Sequence, residues 1–134
     1  MAAVRIVYGD QWGDILDRPD DGCVEIRWFD TTDAMAAADF NAFLATYAGH
    51  VEACGRPGGL VDAVQFRMDM AQMDQGWRDA HIIPRYNAAG VKKFAFIMPA
   101  GMPAIGSAPA PEGPADFPTG YFGRRADALT WLRG

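Results

Sequence analysis

"CVEIRWFDTTDAMAAADFNAFLATYAGHVEACGRPGGLVDAVQF", Cys23 to Phe66, is the stretch on which the fold turns. Over Cys23–Asp30 the side chains alternate. Val24, Ile26 and Trp28 or Phe29 fall on a core side, with Glu25 and Arg27 on the other, the period of a half-buried strand. Ala36, Phe40, Phe43, Leu44, Tyr47 and Val51 then share one stripe at helical spacing. Thr31, Thr32 or Asp33 can cap that helix, because their side-chain oxygens accept from free backbone N–H groups. Gly55 is its expected stop. After "GRPGG" comes a short valine-rich run, Leu60–Phe66, expected to be a buried strand. Strand, helix and strand in one sheet imply a parallel pair with a right-handed crossover.

Working outward, "VRIVYG" (Val4–Gly9) alternates as a strand, and "RPDDG" (Arg18–Gly22) carries turn signals. With Cys23–Asp30 these make an antiparallel hairpin, whose first arm Ile15 and Leu16 extend. On the other side, "WRDAHIIPRYNAAG" (Trp77–Gly90) reads as a helix interrupted at Pro84, either kinked there or split in two. "VKKFAFIMP" (Val91–Pro99) is another buried strand. The segment 99–118 carries six of the nine prolines, so neither a helix nor a central strand is expected in it. Loops of that length in compact domains are usually functional covers or disordered. "TGYFG" (Thr119–Gly123) is a last short strand. "RRADALTWLRG" is a closing helix that docks through Ala126, Leu129 and Leu132. The expectation is a single α/β domain over 1–134. Its one mixed sheet starts with an antiparallel hairpin, continues mostly parallel as βαβαβ, and is covered by helices.

Four stretches together, "VEIRWFD", "GLVDAVQF", "VKKFAFIMP" and "FPTGYFGRRADALTWL", resemble the STAS superfamily. The likeness is to its branch of small bacterial proteins similar to the sporulation anti-sigma-factor antagonist and to the CRAL-TRIO lipid-binding domains. It covers nearly the whole chain and rests on pattern and order. It implies a STAS-like fold and either partner-protein regulation or the binding of a small apolar ligand. Phosphorylated antagonists of that superfamily carry a serine after the second parallel strand. Here that place holds "RMDMAQMDQ", and the chain's one serine is Ser107, so the phosphorylation switch does not carry over.

Composition narrows the partners. The formal net charge is −5, which argues against nucleic acid as the main partner, since phosphate binding needs a surplus of Lys and Arg. Neither a signal peptide nor a membrane-length apolar run is read, so a cytoplasmic protein is expected. Cys23 and Cys54 lie in no CxxC or metal-like spacing and are expected to be reduced thiols. Gly58 and Gly59 precede a strand, where a phosphate-cradling loop would need them between strand and helix.

On a helical wheel Arg78, His81 and Arg85 fall within about 60° of one another, a stripe suited to an anion or to a polar surface. Met68, Met70 and Met73 follow the second parallel strand, and Met98 and Met102 flank the proline-rich loop. Both groups are expected at carboxyl ends of strands, where open α/β sheets hold their ligands. The six residues Arg78, His81, Arg85, Met68, Met70 and Met73 are therefore the candidate binding set, with no cofactor, metal or catalytic group assigned. Three readings follow. The first is a non-catalytic module binding a small apolar or amphipathic ligand or a partner protein. The second is an enzyme pairing His81 with a carboxylate such as Asp62. The third is a self-associating protein, for which a homodimer is the simple form.

Overall fold

The computed structural model describes residues 3–99 and 109–134. The described residues form seven strands, all in one mixed sheet of order β1-β2-β3-β4-β5-β7-β6, and four α-helices. The strands are β1 (Arg5–Gly9), β2 (Gly13–Arg18), β3 (Cys23–Trp28), β4 (Gly58–Asp62), β5 (Lys93–Ile97), β6 (Ala110–Pro111) and β7 (Pro118–Phe122). The helices are α1 (Ala37–Cys54), α2 (Gln75–His81), α3 (Ile83–Ala89) and α4 (Arg125–Arg133). β1, β2 and β3 pair antiparallel; β3, β4, β5 and β7 run parallel; β6 closes the far edge antiparallel to β7.

The α/β class and the mixed sheet agree with the sequence pattern, and four local differences have identifiable causes. Ile15 and Leu16 belong to a separate strand, β2. Asp10 accepts from the backbone N–H of Trp12 at 2.8 Å, and its own N–H donates to the Gly13 carbonyl, which turns the chain. The second parallel strand ends at Asp62, short of Phe66. The Asp62 carboxylate accepts from the Val64 N–H at 3.1 Å, and the Phe66 N–H donates to the Ala63 carbonyl, so the chain bends there.

The third difference is the start of α1. None of Thr31, Thr32 and Asp33 caps it; the N-cap is Ala36, whose N–H donates to the Asp39 carboxylate at 3.0 Å. Thr32 is buried instead, donating to the Phe29 carbonyl and accepting from the Arg67 N–H, and so ties the start of α1 to the β4–α2 connection. Fourth, the proline-rich segment does contribute a strand, β6. It is two residues long and lies at an edge, where proline's missing donor goes unused. Residues 100–108 of that loop, with Met102 and Ser107, lie outside the described residues.

Side-chain alternation gives the sheet two different faces. Val24, Ile26, Trp28, Val61 and Phe94 point to the face covered by α1 and α3. α1 buries Phe40, Phe43, Leu44, Tyr47, Ala48 and Val51 there, at about 1.5–3 kcal/mol for each large apolar side chain taken from water. Cys23, Leu60, Ala95 and Ile97 point the other way, against Ala128 and Leu129 of α4. Gly55 ends α1 at φ 68°, in the left-handed region that glycine enters without strain. Gly59 is required for a different reason: a Cβ there would overlap the Phe94 ring.

Candidate functional site

The parallel strands β3, β4, β5 and β7 end together on the α1/α3 face, and there the close packing opens into a cavity of about 370 Å³. Its sheet side comes from Trp28 (β3), Val61 (β4), Phe94 and Phe96 (β5) and Tyr121 (β7), alternate positions that share one face. Phe40 and Leu44 of α1 supply one flank. Phe66, Met68 and Met73 of the β4–α2 connection supply another, and Met98 and Pro99 follow the end of β5. Aromatic rings frame it tightly: Trp28 and Phe66 lie 5.1 Å apart, Phe96 and Tyr121 are stacked at 5.3 Å, and Tyr86 and Phe94 at 5.4 Å.

Four of the lining side chains carry polar tips. Arg78 of α2 is half-buried and makes no hydrogen bond or ion pair among the described residues. The Tyr121 hydroxyl donates to the Glu112 carboxylate at 2.7 Å. Burial, and then Glu112, push the Tyr121 pKa well above its usual value. Tyr86 of α3 is 1% exposed, and its hydroxyl has no hydrogen-bond partner among the described residues. Burial raises its pKa strongly, while the charges of Arg78 and Arg85 oppose the rise.

The candidate set divides on this geometry. Arg78, Met68 and Met73 line the cavity together. Met70 starts a 3-10 turn, Met70–Gln72, and its side chain lies outside the described residues. His81 and Arg85 are elsewhere, and the helix stops between them. α2 ends at His81, α3 starts at Ile83, and Pro84 occupies the first turn of α3, where its missing N–H costs nothing. His81 is exposed, with its ring 5.4 Å from Trp77. Arg85 turns to α1, where it donates to both Glu52 carboxylate oxygens, at 3.1 and 2.6 Å, and to the Ala45 carbonyl.

Asp62 and His81 do not meet. Asp62 points to the α4 face and accepts from Arg125 at 2.8 Å, whereas α2 packs over the opposite face through Trp77. On the α4 side a second, polar depression of about 470 Å³ lies among Asp14, Arg27, Asp62 and Gln65. The Arg27–Asp14 ion pair at 2.7 Å spans part of it. Its volume exceeds that of the apolar cavity, but its rim residues Arg27, Val64 and Gln65 are exposed, and it is a surface hollow.

Sequence reasoning missed the aromatic wall and the Tyr86, Tyr121 and Glu112 tips. Phe94, Phe96 and Tyr121 carry a visible signal, since all sit at alternate positions of expected strands. Glu112 carries none, because its place depends on the path of the chain after the proline-rich loop. Among the described residues no group of three or more His, Cys, Asp or Glu side chains is placed to hold a metal ion. No helix among them is long and apolar enough to cross a membrane. No family model matches the chain, and no curated protein or solved structure matches it.

Proposed function

We propose that this chain is a non-catalytic, STAS-like binding module whose cavity holds a small apolar or amphipathic molecule. The observation that carries this reading is the cavity itself. About 370 Å³ lies within the roughly 300–1,000 Å³ typical of small-molecule sites, and the wall is predominantly apolar and aromatic with a few polar tips. Protein interiors are otherwise close-packed, and an apolar opening of this size at the strand ends departs from that packing. Its position at the carboxyl ends of parallel strands is where open α/β sheets bind ligands. The enzyme reading loses its named pair, since Asp62 and His81 lie on opposite faces of the sheet.

The test is titration with the neutral apolar dye N-phenyl-1-naphthylamine, read by its fluorescence, on the wild type and on Ala63→Phe. Ala63 is 9% exposed and lines the cavity, so a phenyl group there takes up part of it and blocks a bound ring. Saturable one-to-one binding to the wild type, lost in a folded Ala63→Phe protein, supports the proposal. Equal dye binding by both proteins, or none by the wild type, overturns it.

A further inference from the structure

The ends of the cavity are more informative about its ligand than the apolar wall is. Among the described residues that line it, two carry charge, Arg78 and Glu112. They are differently placed. Glu112 is exposed and already accepts the Tyr121 hydroxyl at 2.7 Å. Arg78 is half-buried and has no acceptor among the described residues. Arg18, Arg56, Arg85, Arg125 and Arg133 are also partly withdrawn from water or pair with buried groups, and each is matched to a carboxylate between 2.5 and 3.2 Å away. Among the described residues, Arg78 is the partly buried guanidinium that meets no carboxylate, and it stands in the wall of an apolar cavity. Burying a charge is costly unless a counter-charge meets it.

Resting on the cavity reading above, we propose that the ligand is a small monocarboxylic acid with an apolar, ring-sized body, held at its carboxylate by Arg78. The guanidinium fork offers two parallel N–H donors that match the two oxygens of a carboxylate. Tyr86 brings a hydroxyl to the same cavity, and no acceptor for it stands among the described residues. Arg78, Tyr86 and Tyr121 all line this one cavity. Two fused rings or a short alkyl chain suit a volume near the low end of small-molecule sites; a two-chained lipid does not.

A cationic ligand fits less well. Among the described lining residues its one anionic contact would be Glu112, exposed to water, where ion pairing is weak, and Arg78 would repel it. The acidic neighbour Asp79 is drawn aside: it lies against Gly113, within 3.1 Å of where a side chain on that glycine would begin.

The experiment is isothermal titration at neutral pH with 2-naphthoate and with its methyl ester, on the wild type and on Arg78→Met. Methionine keeps an unbranched apolar stem and removes only the charge and the fork. The expected wild-type result is the acid binding about tenfold tighter than the ester or better, as a charge-assisted pair predicts. Arg78→Met should lose that preference while its affinity for the ester stays within a few-fold. Equal wild-type affinity for acid and ester overturns the carboxylate assignment and leaves the cavity reading standing. The preference surviving in Arg78→Met overturns the role of Arg78. If neither compound binds the wild type, the carboxylate assignment falls, and the neutral dye alone then decides whether the cavity reading falls with it.

Discussion

Glu25 and Arg125 stand one hundred positions apart in the chain and meet through two hydrogen bonds, at 3.0 and 2.7 Å, beneath α4. Glu25 is 1% exposed, on the strand face that packs toward α4. Arg18 reaches one of its oxygens at 3.2 Å, and Arg125 also holds Asp62 at 2.8 Å. A buried carboxylate is tolerable only with such partners. The pair therefore joins α4 to the sheet beside the small apolar cluster around Ala128 and Leu129.

Removing one partner tests that claim. Arg125→Met leaves Glu25 buried with Arg18 alone, and the expected loss is roughly 2–4 kcal/mol of unfolding free energy. Urea unfolding followed by circular dichroism measures it. A loss under half a kilocalorie would show that the pair does not secure α4.

Asp17 sets an acid limit on stability. Two hydrogen bonds from Arg56, at 2.9 and 3.0 Å, hold its carboxyl below the usual range despite the opposing effect of burial. With the folded pKa depressed, the unfolded chain binds more protons at mildly acid pH, so stability rises with pH there. The contribution is complete above the unfolded value of about 3.9 and is lost as pH falls through the lower folded value. Arg56→Met should flatten the melting temperature against pH below about 4, relative to the wild type.

Gly59 is held to its size by Phe94. Gly59→Ala would drive a methyl group into that ring and to within 3.0 Å of the Tyr47 hydroxyl. Phe94 must then shift toward the cavity that it lines. The expected cost is about 1–3 kcal/mol, together with weaker dye binding. A thermal melt and a dye titration on the same sample read both; a neutral melt with unchanged binding contradicts the packing.

The two thiols should react very differently. Cys23 is fully buried, and burial pushes its pKa up to about 12. Cys54 is half-buried, and its pKa is raised by burial and by the Asp17 charge. Since the thiolate is the nucleophile, iodoacetamide should label Cys54 slowly, faster as pH rises, and leave Cys23 intact until the protein unfolds. Intact-mass and peptide mapping would check the order; early labelling of Cys23 contradicts its burial.

Much of the fold was legible along the chain because its signals are local. Phe40, Phe43, Leu44, Tyr47 and Val51 repeat at the helical period, and all five lie buried on α1. Val24 and Ile26, and Phe94 and Phe96, repeat at the strand period, and the two strands lie in one sheet with the parallel crossovers that the order of elements implies. The methionines after β4 and at the end of β5 marked strand ends, and Met68, Met73 and Met98 do line one cavity.

The candidate site was only half legible, because a helical wheel describes a helix that continues. It grouped Arg78, His81 and Arg85, but in space they part: Arg78 to the cavity, His81 to solvent and, beyond the break before Pro84, Arg85 to Glu52. By itself the sequence determined the class of fold, the helix and strand faces and the region of the site, since each follows from neighbours a few residues apart. Only the tertiary structure decided that, among the described residues, the half-buried Arg78 meets no carboxylate, that Asp62 belongs to Arg125, and that Tyr86, Glu112 and Tyr121 share a cavity with Arg78. Those are relations between groups far apart in sequence, and their energies depend on distance and burial in space.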